Sequence, residues 1–445
     1  MRRRPKHLRR NKPFDMNRNT YKILFLSIAF ILAIDCAQAQ FNVSANFRAR
    51  SEYRDGSRIL LDDTREPTFV SSQRTRLITN YKDDRFEINI AIQNARIWGA
   101  DDERANVPNI NLAEGWVKYY LSEDKEGFAV KVGRQHLVLD DGRIFGMRNW
   151  NDIAVSHDLA MLEFNKSDWD IKLAGGYNND GNKYEESAYD VNYYKYLAVL
   201  WANRQISSNL SASILTSVDG NEDPDDFKKV YPRYTSGVYL KGGNKKSAFG
   251  VQASFYYQYG EHTSGLKQRA YMYSVIPTYN INKKLKAVAG INFFSGNDQV
   301  DPDGTNRSFN KLFGDGHRYY GYMDYFLNIE SNTNGGGVRN TFASLFYKFS
   351  NKSELEISYH NFAFGGNYMD PETLDAADNQ LGNEIDLQFK HKINDYLSTR
   401  VTYATMFATS SMELIKGGDH ERYQQWIAVM LIAKPQLFSS DKKDQ

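Results

Sequence analysis

The residues most able to do chemistry in this sequence are cations spaced two apart. Arg48, Arg50 and Arg54 fall on alternate positions of one segment, Arg74 and Arg76 on the next, and Arg96, Lys118, Lys131 and Arg134 on the three that follow. Spacing of two puts side chains on one face of an extended strand. On neighbouring strands such a set forms a basic wall able to hold carboxylates, which guanidinium groups bind bidentately. Carboxylates recur at the same spacing near the end of the chain, as Glu354 and Glu356, then Glu384 and Asp386. If both sets face one aqueous lumen, they set a transverse field across it.

Other chemistries find little support. His136, His157, His317, His360, His391 and His420 lack the paired spacing of a zinc site. No Gly-x-Ser-x-Gly elbow occurs. Asp301-Pro302-Asp303-Gly304-Thr305 and the acidic stretch from Asp219 to Asp226 do not complete a calcium loop. The sequence therefore argues for no enzyme, no metal and no cofactor. The formal net charge of +2 gives no bulk basic balance of the kind that nucleic acid recruits.

The elements that must position these residues are strands. Val43, Ala45, Phe47, Ala49 and Tyr53 oppose Asn46, Arg48, Arg50, Glu52 and Arg54. Phe86, Ile88, Ile90 and Ile92 oppose Glu87, Asn89 and Gln93, and Ile385, Leu387 and Phe389 oppose Glu384, Asp386, Gln388 and Lys390. Such alternation recurs in about 18 segments. Those near residues 192, 268 and 338 are apolar on both faces, which leaves their register open. Connections alternate between tight turns (82–85, 280–284, 351–353, 394–396) and long polar stretches (55–70, 219–230, 364–380 and, longest, 296–337). That rhythm predicts an all-β transmembrane antiparallel barrel of about 18 strands, with short periplasmic turns and long extracellular loops. A barrel of that size has an aqueous bore unless loops fill it. The aromatic stretch from Tyr319 to Phe326 is expected to fold inward or pack over the mouth, since so many rings would otherwise sit in water.

Composition agrees. Mean hydropathy is −0.62, and no stretch after residue 39 is long and apolar enough for a helical span. Lipid-facing strands need only every second residue apolar, and the 14% of aromatic residues suit interfacial girdles. The basic stretch ending at Lys22, the apolar run from Ile23 to Ile34 and Ala37-Gln38-Ala39 predict a signal peptide over 1–39, cleaved before Gln40. A barrel over 40–438 and a polar tail over 439–445 follow. Cleavage removes the single cysteine, Cys36. Expected partners are outer-membrane lipids and lipopolysaccharide, and the machinery that assembles barrels in the outer membrane.

Several stretches resemble the alginate export family of outer-membrane proteins. They are Gly133-Arg134-Gln135 followed by Asp140-Asp141-Gly142-Arg143-Ile144-Phe145-Gly146, Asn149-Trp150 and Ser156-His157-Asp158; Gln93 to Gly99; Leu312-Phe313-Gly314 with His317 and Tyr319 to Asp324; and Leu381 to Leu387. The resemblance implies an electropositive lumen that passes an anionic polysaccharide or small anions. It marks Gly133, Arg134, Gln135, Asp141, Arg143, Trp150, Asp158 and Asp324 as motif positions. The expected lumenal path comprises Arg48, Arg50, Arg74, Arg76, Arg96, Lys118, Arg134, Arg143, Glu384 and Asp386. Family members that export alginate can carry a long periplasmic turn over the pore, and none is readable here. The rival readings are a general porin and a surface adhesin built on the loop 296–337.

Overall fold

The computed structural model describes residues 40–101, 109–189, 191, 193–223, 225–244 and 246–440. The predicted signal peptide over 1–39 and the tail from 441 lie outside the described residues.

Eighteen strands form the wall: β1 (Gln40–Asp55), β2 (Thr68–Lys82), β3 (Phe86–Ile97), β4 (Ile110–Tyr120), β5 (Gly127–Gln135), β6 (His157–Lys166), β7 (Trp169–Tyr177), β8 (Tyr196–Ser207), β9 (Leu210–Glu222), β10 (Val230–Gly242), β11 (Phe249–Glu261), β12 (Lys267–Asn280), β13 (Leu285–Phe294), β14 (Val338–Lys348), β15 (Ser353–Ala363), β16 (Gln380–Lys392), β17 (Leu397–Ala408) and β18 (Gln424–Ala433). Each pairs antiparallel with the next. The ring closes where β1 meets β18, from Phe47 opposite Ala433 to Asp55 opposite Gln425. Closure leaves no edge strand in lipid, as a membrane demands. No helix among the described residues is long and apolar enough to cross a membrane. A short strand, Gln436–Ser439, pairs with the foot of β1.

Alternation sets the two faces. On β1 the even residues Arg48, Arg50 and Glu52 are buried inside, while Val43, Ala45 and Phe47 lie on the outer face. Ile90 and Ile92 on β3 point outward, 46% and 41% exposed, with Asn89, Ala91 and Gln93 buried between and beside them. Replacing Ile90 by arginine should cost the inserted barrel about 2–4 kcal/mol if the position lies near mid-membrane. The measurement is equilibrium unfolding in bilayers, where an unchanged midpoint would place Ile90 off the lipid.

The short turns share one end of the barrel and the long connections the other. An epitope inserted after Asp303 should be labelled on intact cells, and one inserted at Lys352 only after permeabilisation. Labelling at Lys352 on intact cells would invert the orientation.

Two long connections do not stay outside. Residues 136–156 and 306–328 both fold into the barrel and meet there. Phe145 and Phe313 form an isolated parallel bridge, with Phe313 N–H donating to the Ile144 carbonyl at 3.0 Å and Asp315 N–H to the Gly142 carbonyl at 2.8 Å. Their backbones touch so closely that a Cβ on Gly314 would lie 1.7 Å from the Arg143 carbonyl oxygen, so only glycine fits. Phe145, Phe309, Tyr320, Met323, Tyr325 and Phe326 form a core within the barrel with Leu197, Val199 and Trp201 of β8, Met272 of β12 and Val338 of β14. Each such side chain gains about 1.5–3 kcal/mol by leaving water. Two short helices flank this plug, α1 (Ile329–Asn332) and α2 (Ser410–Lys416).

Candidate functional site

The basic wall exists, and one inner loop covers much of it. Arg48 and Arg50 on β1 and Arg74 and Arg76 on β2 all point into the lumen, because their even positions share the inner face of paired strands. Arg48 donates to the carbonyls of Asn149 at 2.8 Å and Asn151 at 2.9 Å, and to Asp152 Oδ1 at 2.8 Å. Arg50 donates to the Trp150 carbonyl at 2.8 Å, pairs with Glu52 at 2.6 Å and lies 4.5 Å over the Trp150 ring. Arg74 donates to Asn149 Oδ1 at 2.8 Å. Arg76 donates to Gln93 Oε1. Arg48, Arg50 and Arg74 therefore act first as hooks that hold residues 149–152 inside the barrel. Lys118 also faces inward, lower down, and pairs with Glu163 at 2.5 Å.

Two of the residues expected to line the path face outward. Arg96 lies on the outer face of β3 with Ile90 and Ile92 and reaches Asp101 at 3.6 Å. Arg134 lies on the outer face of β5 with Val130 and Val132 and grips Asp158 of β6 at 2.9 and 2.6 Å. The cause is parity: both occupy even positions of strands whose inner faces are odd. Neutralising either to glutamine should leave ion selectivity unchanged in single-channel recording, and a shifted reversal potential would return them to the lumen.

Arg143 lies within the barrel but contacts no open path. It is 1% exposed, pairs with Asp141 at 2.7 Å, donates to Asn292 Oδ1 at 2.7 Å and stacks 3.9 Å from the Tyr319 ring. The Asp141 carboxylate holds its guanidinium above the ordinary value, against the effect of burial. Glu384 and Asp386 on β16 are likewise enclosed. Glu384 accepts the Met323 N–H at 2.7 Å and Asp386 the Tyr322 N–H at 3.3 Å, so these carboxylates anchor the second loop. The remaining motif positions do structural work. Gly133 adopts a φ of 123°, Gln135 is buried and donates to the Leu159 carbonyl, Trp150 stacks 3.5 Å from His317, and Asp324 accepts from that histidine at 2.6 Å.

The open space lies beneath the plug. A cavity of about 740 Å³ is bounded above by residues 148–151 and 311–328 and below by Lys286, Phe346, Lys390, Arg400, Ile432 and Lys434, which adjoin the short turns. It therefore occupies the periplasmic half. Nine cations line it: Arg48, Arg74, Arg148, Lys286, Lys311, Arg318, Lys390, Arg400 and Lys434; the lining carboxylates are Asp315 and Glu356. Arg48 and Lys390 have a carboxylate within 4 Å among the described residues, and the other seven do not. At the roof, Arg148 Nε (at 3.0 Å) and Lys311 Nζ both donate to the Gly314 carbonyl, bringing two cations to one oxygen. Burial drives Lys311 well below the ordinary lysine value, with Arg148 adding to the effect.

The path expected from sequence omitted Lys286, Arg400 and Lys434 at the lower rim and Arg148, Lys311 and Arg318 in the roof. Lys286 and Arg400 were legible by parity, each sharing the inner face of its strand. The roof residues belong to connections, for which alternation gives no direction.

In fold the chain is similar to three solved outer-membrane proteins. Acinetobacter baumannii OccAB1 matches at a TM-score of 0.62 and 13% identity, covering 89% of this chain and 97% of that one. Pseudomonas aeruginosa OccK11 (OpdR) matches at 0.56 and 14%, covering 89% and 96%. The outer membrane protein OprD from Pseudomonas aeruginosa matches at 0.56 and 12%, covering 90% and 93%. No curated protein matches the chain by sequence. The family model described as alginate export matches residues 39–413, nearly the whole barrel, and the chain, an outer-membrane channel barrel, belongs to that family.

Proposed function

We propose that this channel passes anionic solutes bearing carboxylates, a polyuronate or smaller acids, by way of the periplasmic cavity. The observation that carries this reading is the set Lys286, Arg318, Arg400 and Lys434 around that cavity, which have neither a carboxylate within 4 Å nor a side-chain hydrogen bond among the described residues. A cleft of one sign with low-dielectric walls raises the local concentration of the opposite ion, and a guanidinium or ammonium left without a counter-ion is available to a passing carboxylate. A general porin of mixed charge would pair its cations within the wall, as Lys118 does with Glu163.

The plug above the cavity makes passage conditional on loop movement. The test is a planar bilayer with the protein in one orientation and uronate oligomers added to either side. Anion preference and a concentration-dependent block from the periplasmic side are expected. Equal permeability to potassium and chloride, with no block, would overturn the anionic reading.

A further inference from the structure

The outer wall of the barrel carries charge very unevenly around its extracellular half. Arg96 and Arg134, outward on β3 and β5, are each held by an aspartate. On the opposite side, Lys267 and Arg269 at the top of β12 and Arg339 at the top of β14 also belong to outer-face positions. None of the three has a carboxylate within 4 Å or a side-chain hydrogen bond among the described residues. Glu261 stands opposite Lys267 across the β11–β12 pair, whereas Arg269 faces Tyr259, and Arg339 faces Phe293 and Ala363.

An aromatic surface lies below Arg269 and level with Arg339. Tyr259 stacks on Tyr234 at 5.1 Å, and Phe293 stacks on Tyr271 at 5.6 Å and on Tyr273 at 5.1 Å. Tyrosines at a membrane interface mark the depth where acyl chains give way to head groups. Lys267 and Arg269 stand above that level, among the head groups of the outer leaflet, and Arg339 stands at it, with a side chain long enough to snorkel up to them. Arg269 lies two strands from Arg339 and four residues further up, a separation of roughly 16 Å by strand geometry, and each guanidinium can swing several ångströms.

We propose that this face, β10 to β14, is a docking site for a phosphorylated glycolipid of the outer leaflet, with Arg269 and Arg339 each gripping a phosphate of one sugar head group and the tyrosine shelf packing its acyl chains. Charge complementarity selects this occupant. Two unpaired arginines, one above and one at the level of an aromatic shelf, with side chains that can reach upward, match a head group with an anionic phosphate at each end, and guanidinium–phosphate pairs are bidentate. A single-phosphate glycerolipid engages only one of them.

The test uses the full-length barrel in nanodiscs and three probes: bisphosphorylated lipid A, the same lipid with its phosphates removed, and phosphatidylglycerol. Binding is read by native mass spectrometry. The wild type should retain bisphosphorylated lipid A about tenfold more tightly than the R269Q/R339Q variant, as two charge-assisted contacts at a membrane surface allow. The dephosphorylated lipid should not distinguish the two proteins, and R269K/R339K should keep most of the binding. Because neither arginine makes an internal bond, the glutamine variant should fold, which heat-modifiable migration in gels verifies. Equal retention by wild type and glutamine variant, equal binding of phosphatidylglycerol, or loss of binding in a folded lysine variant would each overturn the site.

Discussion

Replacing Lys286, Arg318 and Arg400 together with glutamine should lower the anion-to-cation permeability ratio about tenfold at low salt. At about 8 Å from a permeating ion in water-like dielectric, each charge is worth roughly 0.5 kcal/mol, so three give about 1.5 kcal/mol, which is near a factor of ten. The effect should shrink toward physiological salt, where the Debye length falls to about 8 Å. These three line the cavity without holding the structure together. Lys286 lies over the Phe346 ring and Arg318 over Tyr319, and none has a carboxylate partner or a side-chain hydrogen bond among the described residues. Assembly should be unaffected, since lumenal positions tune selectivity while charges facing lipid destabilise. Reversal potentials in a salt gradient are the measurement. A triple variant with unaltered selectivity would falsify the anion-cavity reading, because the remaining lining cations largely serve the plug.

Detaching the first inner loop should have the larger effect on conductance itself. Asp140, at the start of the descent, accepts from Trp201 Nε1 at 2.8 Å, from Tyr256 Oη at 2.7 Å and from Ser213 Oγ, tying the loop to β8, β9 and β11. On the other side Asp152 accepts from Arg48 and Arg50. Asp140→Ala combined with Asp152→Ala removes both ties and leaves buried donors unpaired, at about 1–3 kcal/mol for each orphaned group. What then holds the plug is the hydrogen bonding of Arg48, Arg50 and Arg74 to residues 149–151 and the apolar contact with the second loop through Phe145 and Phe313. Single-channel records of the double variant should show several-fold larger and noisier openings, since a wall of eighteen strands leaves a water-filled bore once its loops withdraw. Deleting 141–154 with a glycine linker should give the same openings without the noise. Unchanged conductance in both variants would mean that the plug does not limit flow.

Strand number, closure, orientation and most lumen-facing residues on the wall were legible in the sequence, because period-two alternation and alternating turn lengths are local properties of the chain. Arg48, Arg74, Glu384 and Asp386 follow from parity alone. Arg96 and Arg134 were misplaced against that same rule: basic character was read as lumenal, although on each strand the even positions belong with Ile90 or Val132. Around residues 192, 268 and 338 the sequence was ambiguous for a reason only the tertiary structure supplies. Leu197, Val199, Met272 and Val338 face inward yet are apolar because the lumen there holds a protein core made by two folded loops. The aromatic run from Tyr319 to Phe326 signalled the second loop, since rings in such number seek burial. Nothing comparable marked 136–156, whose apolar Leu137, Leu139, Ile144 and Phe145 are interrupted by glycine, aspartate and arginine without a period. Which cations remain free for a ligand was decided by that loop, because its carbonyls and the Asn149 side chain satisfy Arg48, Arg50 and Arg74 and leave the lower rim and Arg318 of the roof to meet the solute.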